Sequence, residues 1–245
     1  MAGETVKSEA ICLDIRPWSR TSHIVGWLTP EGKVSTVVKG AVRAKSQFLG
    51  QYDLNYTCDI LFYARARGEL HALRECMPVE MREALRGDFR KLALAGYFRR
   101  LTAELAPAGK ECEVWFESLR KSLDCCASSP ADGRALLSLM LQFELRVLKL
   151  SGLEPDFSKY DRTSEWSAFS LETGSFGSGE GRCIRISREV AEYLSNPEKK
   201  PENSQIPLDA ERVIGVFYKF HLDCADDVRR IVLGMLLKSK EGKRR

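Results

Sequence analysis

The sequence predicts an α+β chain, in which a small β-barrel is followed by a bundle of helices that carries a polar insertion. Three observations predict it. Apolar residues alternate with period two as far as Cys76. From Met81 the alternation gives way to stripes at helical spacing, in segments rich in Ala, Leu, Arg and Glu. After Pro155 a polar, glycine-rich stretch interrupts the helices.

The strands come first. Ile11, Leu13 and Ile15 alternate with Cys12, Asp14 and Arg16, and Pro17, which cannot donate to a sheet ladder, is expected to end that strand. His23–Leu28 is a second strand, closed by the turn Thr29-Pro30-Glu31-Gly32. Val34, Thr36 and Val38 alternate with Ser35, Val37 and Lys39. Leu54, Tyr56, Cys58, Ile60 and Phe62 mark a fourth strand. Arg65–Gly68 reads as a hairpin tip, and Glu69–Cys76 returns from it. Five short strands with no long helix among them suggest a closed or partly open barrel.

The helices follow. Met81–Leu105 is stopped by Pro107 and Gly109, and Glu111–Ala127 is a second helix. Pro130 and Asp132 set up a third, which runs to Leu150. Its stripe of Leu136, Met140, Phe143, Val147 and Leu150 lies beside a second stripe of Leu137, Leu141, Leu145 and Leu148, so it is expected at the centre of the bundle. Gly152 supplies its cap and Pro155 prevents its continuation. Gly174, Gly177, Gly179 and Gly181 read as loop. Ser187–Leu194 is a short helix, Asn196–Pro207 a loop or linker, and Leu208–Lys238 is helical again, in one or two pieces. Four segments result: a barrel over 1–80, a first helical part over 81–155, an insertion and loop over 156–207, and C-terminal helices with a basic tail over 208–245.

Charge and composition narrow the function. The 245 residues carry 38 Lys and Arg against 34 Asp and Glu, a net +4. That excess is mild, but its placement is informative. Lys33, Lys39, Arg43 and Lys45 share one short segment with no acid between Lys33 and Lys45. Lys238, Lys240, Lys243, Arg244 and Arg245 form a second cluster, interrupted by Glu241, whose plainer reading is a frayed, solvated end. The eight cysteines include no C-x-x-C pair, and with no secretion signal at the N-terminus they are expected to be reduced. His23, His71 and His221 stand too far apart in sequence for a metal pattern. No run approaches the ~18 apolar residues of a membrane span, and the cytoplasm is the expected location.

The segment Arg16–Ser46 is the richest in candidate chemistry. Lys39, Arg43 and Lys45 follow a strand and are separated by Gly40, Ala41 and Ala44, small residues that allow close approach of a phosphate backbone. Trp18, Trp27, Phe48, Tyr52, Tyr56 and Tyr63 are the aromatics at hand for base stacking, though most are expected in the barrel core. The plainer alternative is a solvated basic loop. Enzymatic readings find little support. There is no Gly-rich phosphate loop and no G-x-S-x-G elbow. Asp226-Asp227 and Asp156 with Asp161 read as caps and surface charges.

The same segment resembles the start of the RecO family of DNA-repair proteins. The resemblance rests on Arg16-Pro17-Trp18 with Ser22 and Ile24-Val25, on Leu28-Thr29 with Glu31-Gly32, and on Lys39-Gly40-Ala41 with Arg43 and Ser46. It continues through Gly68-Glu69-Leu70 and Leu73-Arg74-Glu75. A second block, Phe143-Glu144-Leu145 to Gly152-Leu153 and Pro155-Asp156, follows in the family's order. The resemblance implies an N-terminal OB-fold, then a helical bundle with a zinc-ribbon-like insertion. It implies a recombination mediator, not an enzyme, that binds single- and double-stranded DNA, anneals complementary strands and helps load RecA onto DNA covered by single-stranded-DNA-binding protein. The implied partners are RecR and the acidic C-terminal tail of that binding protein, in a cytoplasmic, nucleoid-associated setting. The DNA-binding candidates are Arg16, Arg20, Lys39, Arg43, Lys45, Arg65 and Arg67. The candidates for the partner peptide are Arg99, Arg100, Arg134, Gln142 and Arg146. An adaptor whose barrel binds protein partners or RNA is the alternative, because OB-folds host all of these.

The sequence also departs from the family. Tyr160 and Thr163 stand where zinc-bearing members carry a cysteine pair, and Cys183 is the only cysteine near the second pair's place. One thiol cannot build a four-ligand site, so the insertion is expected to be degenerate and free of zinc, with no other cofactor. Gln142 replaces an arginine that often precedes Phe-Glu-Leu, and Arg20 replaces an acid. Asp226–Arg230 stands roughly where a lysine-serine motif is expected.

Overall fold

The computed structural model describes residues 4–65, 69–109, 111–177, 181–197, 203, 205–222 and 226–238. Arg67, the Gly68 tip, Gly179, Cys224, half of the 196–207 linker and the tail from Ser239 onward lie outside the described residues. The chain divides into two compact units, Met1–Gly87 with Phe98–Ser128, and Asp88–Tyr97 with Ser129–Arg245.

In the first unit five strands close on themselves: β1 (Glu4–Ser19), β2 (Ser22–Thr29), β3 (Gly32–Val38), β4 (Thr57–Ala64) and β5 (Leu70–Glu80), in the order β1-β2-β3-β5-β4. β1 serves two neighbours. Its first half pairs with β4, from Glu4↔Ala64 to Ile11↔Thr57, and its second half pairs with β2. β3 and β5 run parallel over Ser35↔Leu70 to Val37↔Ala72, and this junction completes an OB-type barrel. Inward-facing Ala10, Cys12, Val25, Trp27, Val38, Cys58, Ile60, Phe62 and Leu73 fill it, joined by Phe48 from the long β3–β4 loop. Trp27 satisfies its buried indole N–H on Thr36 Oγ1 at 2.9 Å.

Three expectations about these elements need correction. Pro17 does not end β1, which runs on to Ser19 through a register shift between Pro17 and Ser19, the kind of irregularity at which a sheet tolerates proline. β4 begins at Thr57, not at Leu54, because Asn55 is left-handed (φ 68°) and turns the chain just before it. The helix expected from Met81 starts late. β5 runs on to Glu80, Arg82 adopts φ 48°, a single 3-10 turn covers Glu83–Gly87, and α1 spans Phe89–Leu105. Arg82 explains the delay. Its buried guanidinium donates to Asn55 O (2.8 Å), Thr57 Oγ1 (2.9 Å) and Asp124 Oδ1 (2.7 Å), tying the β4 entry to α2 (Cys112–Ser128). α2 packs on β2 and β3 with Trp115, Phe116, Leu119 and Leu123 buried.

In the second unit α3 (Gly133–Leu150) packs against α5 (Ile206–His221) and α6 (Asp226–Leu237), with both of its apolar stripes largely buried. Asp132 caps α3 by accepting from the Ala135 N–H at 3.1 Å, and Gly152, at φ 73°, ends it. The stretch read as glycine-rich loop is in part a small antiparallel sheet of β6 (Trp166–Ser170), β7 (Ser175–Phe176) and β8 (Cys183–Ser187), ordered β7-β6-β8. Its strands are too short and too rich in serine to show period two clearly. α4 (Arg188–Ser195), capped by Ser187, follows β8 and packs on α5.

Candidate nucleic-acid interface

Strand direction brings three chain segments to one mouth of the barrel: the end of β1, the start of β2 and the end of β3, through Pro17↔His23 and His23↔Val38. Lys39 follows directly. Gly40 then takes φ 67°, a left-handed turn suited to glycine, and its N–H donates to Ser22 Oγ at 3.2 Å. Two residues on, the Val42 N–H donates to the Thr21 carbonyl at 3.4 Å. These bonds stitch the loop after β3 to the β1–β2 hairpin. They set Lys39 and Arg43 beside the hairpin tip that carries Arg20. A cleft of about 380 Å³ opens there, lined by Trp18, Ser19, Ser22, Val37, Lys39, Gly40 and Arg43.

Arg20, Lys39, Arg43 and Lys45 are all exposed, and among the described residues none of them meets a carboxylate. Among the described residues the cleft lining holds two cations and no acid, so its field is positive and little screened by its own walls.

The remaining DNA-binding candidates do not join this cluster. Arg16 is taken up by Asp14 at 2.6 Å. Arg65 follows Ala64 at the end of β4, which pairs with Glu4 at the start of β1, so it lies at the opposite mouth. A count of cations along the sequence cannot see that β4 runs back along the barrel wall. Arg67 lies outside the described residues.

The aromatics divide sharply. Trp27, Phe48 and Tyr56 are buried. Tyr52 is half-buried, its hydroxyl bonded to His23 Nδ1 at 2.9 Å. Tyr63 is covered by the Arg74 guanidinium, 5.6 Å from its ring centre. Trp18 is 60% exposed and lines the cleft. The sequence names Trp18 among the aromatics but gives no sign that it alone would face the basic mouth.

The partner-peptide candidates are also separated. Arg99 belongs to the barrel unit, where its guanidinium donates to the Leu13 carbonyl at the other irregularity of β1. Arg100 pairs with Glu104 at 3.0 Å. In the second unit Gln142 and Arg146 line one groove of about 490 Å³, floored by Leu145, Phe157 and Leu194, whereas Arg134 lies near the start of α3, outside its lining. Lys149 at the groove's edge is held by Glu154 at 2.9 Å. Among the described residues no group of three or more His, Cys, Asp or Glu side chains could hold a metal ion, and no helix is long and apolar enough to cross a membrane.

Comparison with known proteins agrees with this architecture. Residues 1–82 match the family model for the recombination protein O N terminal, and residues 86–224 match that for its C terminal. A DNA repair protein RecO of Alkaliphilus metalliredigens is 27% identical over 181 residues, covering 73% of this chain and 70% of that one. Proteins of the same name from Anaeromyxobacter sp. strain K and Symbiobacterium thermophilum are each 30% identical, over 153 and 152 residues. Those two alignments cover 62% and 61% of this chain and 59% and 58% of the relatives' length.

Proposed function

This chain belongs to the RecO family, and from that premise we propose that it is a non-enzymatic recombination mediator that binds DNA at the Lys39–Arg43 mouth of its barrel. The observation that carries the reading is that Lys39 and Arg43 line one exposed cleft, beside the hairpin tip that carries Arg20, with no acid partner among the described residues. Cations so placed neutralise phosphates, and phosphate contacts carry no base sequence. Two strands held with part of their charge neutralised repel each other less, so strand annealing is the activity this arrangement favours. Assistance to RecA loading would follow from the same hold on single strands.

The groove beside α3 is the proposed seat for the acidic tail of single-stranded-DNA-binding protein. Arg146 supplies a cation with no carboxylate partner among the described residues. Leu145, Phe157 and Leu194 supply an apolar floor for the tail's hydrophobic end. RecR remains the second proposed partner, on family grounds. Zinc is proposed to be absent from the insertion, where Tyr160, Thr163 and Cys183 do not form a ligand set.

A titration of labelled single-stranded DNA at several salt concentrations tests the central reading. Four phosphate contacts give a log–log slope of roughly −3. Replacing Lys39, Arg43 and Lys45 together by Glu should abolish both binding and annealing while the circular dichroism spectrum stays unchanged. A flat salt dependence would favour an adaptor that binds protein. Normal annealing by the triple variant would remove the site.

A further inference from the structure

We infer that Trp18 is a base-stacking platform that makes the barrel mouth favour unpaired over paired DNA. The inference rests on the DNA-binding reading above and adds what that reading lacks, a reason to distinguish the two forms. Phosphate contacts alone give single strands no advantage, because the duplex presents the denser line of backbone charge.

The geometry begins with a bulge. Pro17 pairs with His23 and Ser19 pairs with Ser22, so Trp18 is one residue too many in β1 and has no partner on β2. Bulges of this kind occur at barrel rims and re-aim a side chain out of the regular alternation. Pro17 makes the bulge cheap, since it has no N–H for the ladder to lose. The indole therefore leaves the pleat, and it is 60% exposed, whereas Trp27 and Trp115 are buried. Trp166, which is also exposed, already carries the Arg185 guanidinium 5.7 Å from its ring. Among the described residues no cation is stacked in this way on Trp18.

The surroundings identify the ligand. Trp18 shares its cleft with Lys39 and Arg43, and among the described residues no carboxylate lines it. At about 380 Å³ the cleft lies within the roughly 300–1,000 Å³ that holds a small planar ligand. An aromatic face beside two cations fits one nucleotide, with the base on the indole and its phosphate on Lys39 and Arg43. Stacking needs a free base face, which a duplex hides and a single strand offers. It accepts any base, so the platform adds affinity without sequence preference.

The test uses the full chain and its Trp18→Ala and Trp18→Phe variants. Each is titrated with a fluorescein-labelled oligothymidylate, with a duplex of the same length, and with an abasic oligonucleotide. Trp18→Ala should weaken binding to oligothymidylate by roughly 5- to 100-fold. Duplex and abasic affinities should be unchanged within about twofold and the salt slope unaltered, since the phosphate contacts remain. Trp18→Phe should keep most of the affinity. Equal binding of oligothymidylate by the parent and Trp18→Ala would overturn the inference, and so would an equal loss for single strand and duplex. If the parent binds none of the three probes at low salt, the DNA-binding reading itself falls, a result distinct from a failed stacking test.

Discussion

Glu144 shows how a residue of a family motif can serve the core. It stands in the Phe-Glu-Leu run that carries half of the family resemblance, yet it is fully buried inside the second unit. Arg229 donates to both of its carboxylate oxygens, at 2.8 and 2.9 Å, the Tyr97 hydroxyl donates to it at 2.6 Å, and the Tyr218 hydroxyl donates to its backbone carbonyl. The same guanidinium also meets Glu211, which is equally buried and has one carboxylate oxygen without a partner. Two carboxylates thus share one cation. Burial, with repulsion from Glu144 added, holds the Glu211 carboxyl well above the ordinary range. An acid raised in the folded state contributes stability that is complete below its unfolded value and is lost as pH rises through the folded one. In that window each pH unit costs about 1.4 kcal/mol. Glu211→Gln removes the proton exchange and keeps the shape. The melting temperature of the parent should therefore fall as pH rises above the ordinary carboxylate range, while that of the variant stays flatter. Parallel profiles for the two proteins would show that Glu211 carries no such burden. None of this was legible in the sequence, because Arg229 lies 85 residues beyond Glu144.

At the scale of elements, what was legible is what local periodicity encodes. β2, β3 and α3 begin and end close to where alternation, the Thr29–Gly32 turn, Asp132 and Gly152 place them. The misplaced boundaries depend on distant partners. α1 is delayed by Arg82's bonds to Asn55, Thr57 and Asp124, and β1 outlasts Pro17 because of its bulge. The candidate site divides in the same way. Lys39 and Arg43 could be read from the chain, but the loss of Arg16 to Asp14 and the removal of Arg65 to the other mouth needed strand direction. Contacts between elements also set the cost of small changes. Gly133 opens α3, and a Cβ there would sit 2.2 Å from the Leu236 carbonyl oxygen near the end of α6. Helix propensity alone argues that Gly133→Ala stabilises by up to about 1 kcal/mol. The clash is with backbone, which cannot swing aside as a side chain would, so α6 must move and the overpacking cost of about 1–3 kcal/mol wins. A urea titration should show Gly133→Ala less stable by about 2 kcal/mol. A variant at least as stable as the parent would mean that α6 yields at no cost.

For the whole molecule the question is what holds a sheet of three short strands in place inside the helical unit. A two- or three-stranded sheet of this size is marginal unless it packs on something larger. Here it packs on an aromatic cluster. Phe157 stacks on Phe169 with ring centres 4.9 Å apart, Phe176 meets Phe169 edge-on at 5.2 Å, and Phe217 of α5 joins at 6.1 Å. The cluster links the insertion to the helical core, which makes it part of a larger fold and spares it the need for a staple of its own. The positions where a cysteine pair was sought are otherwise engaged. Tyr160 sets its ring edge-on to Phe176, and Thr163 and Ser164 donate their hydroxyls to Asp161 at 2.6 Å, closing the turn with hydrogen bonds. Cys183 is exposed on β8. Protein loaded with excess zinc and then dialysed should accordingly retain well below one equivalent by elemental analysis. Adding a chelator should leave its melting temperature unchanged, because metal binding that supports a fold appears as lost stability when the metal is removed. One tightly held equivalent, or a clear drop in melting temperature with chelator, would mean that the aromatic cluster does not hold this sheet alone.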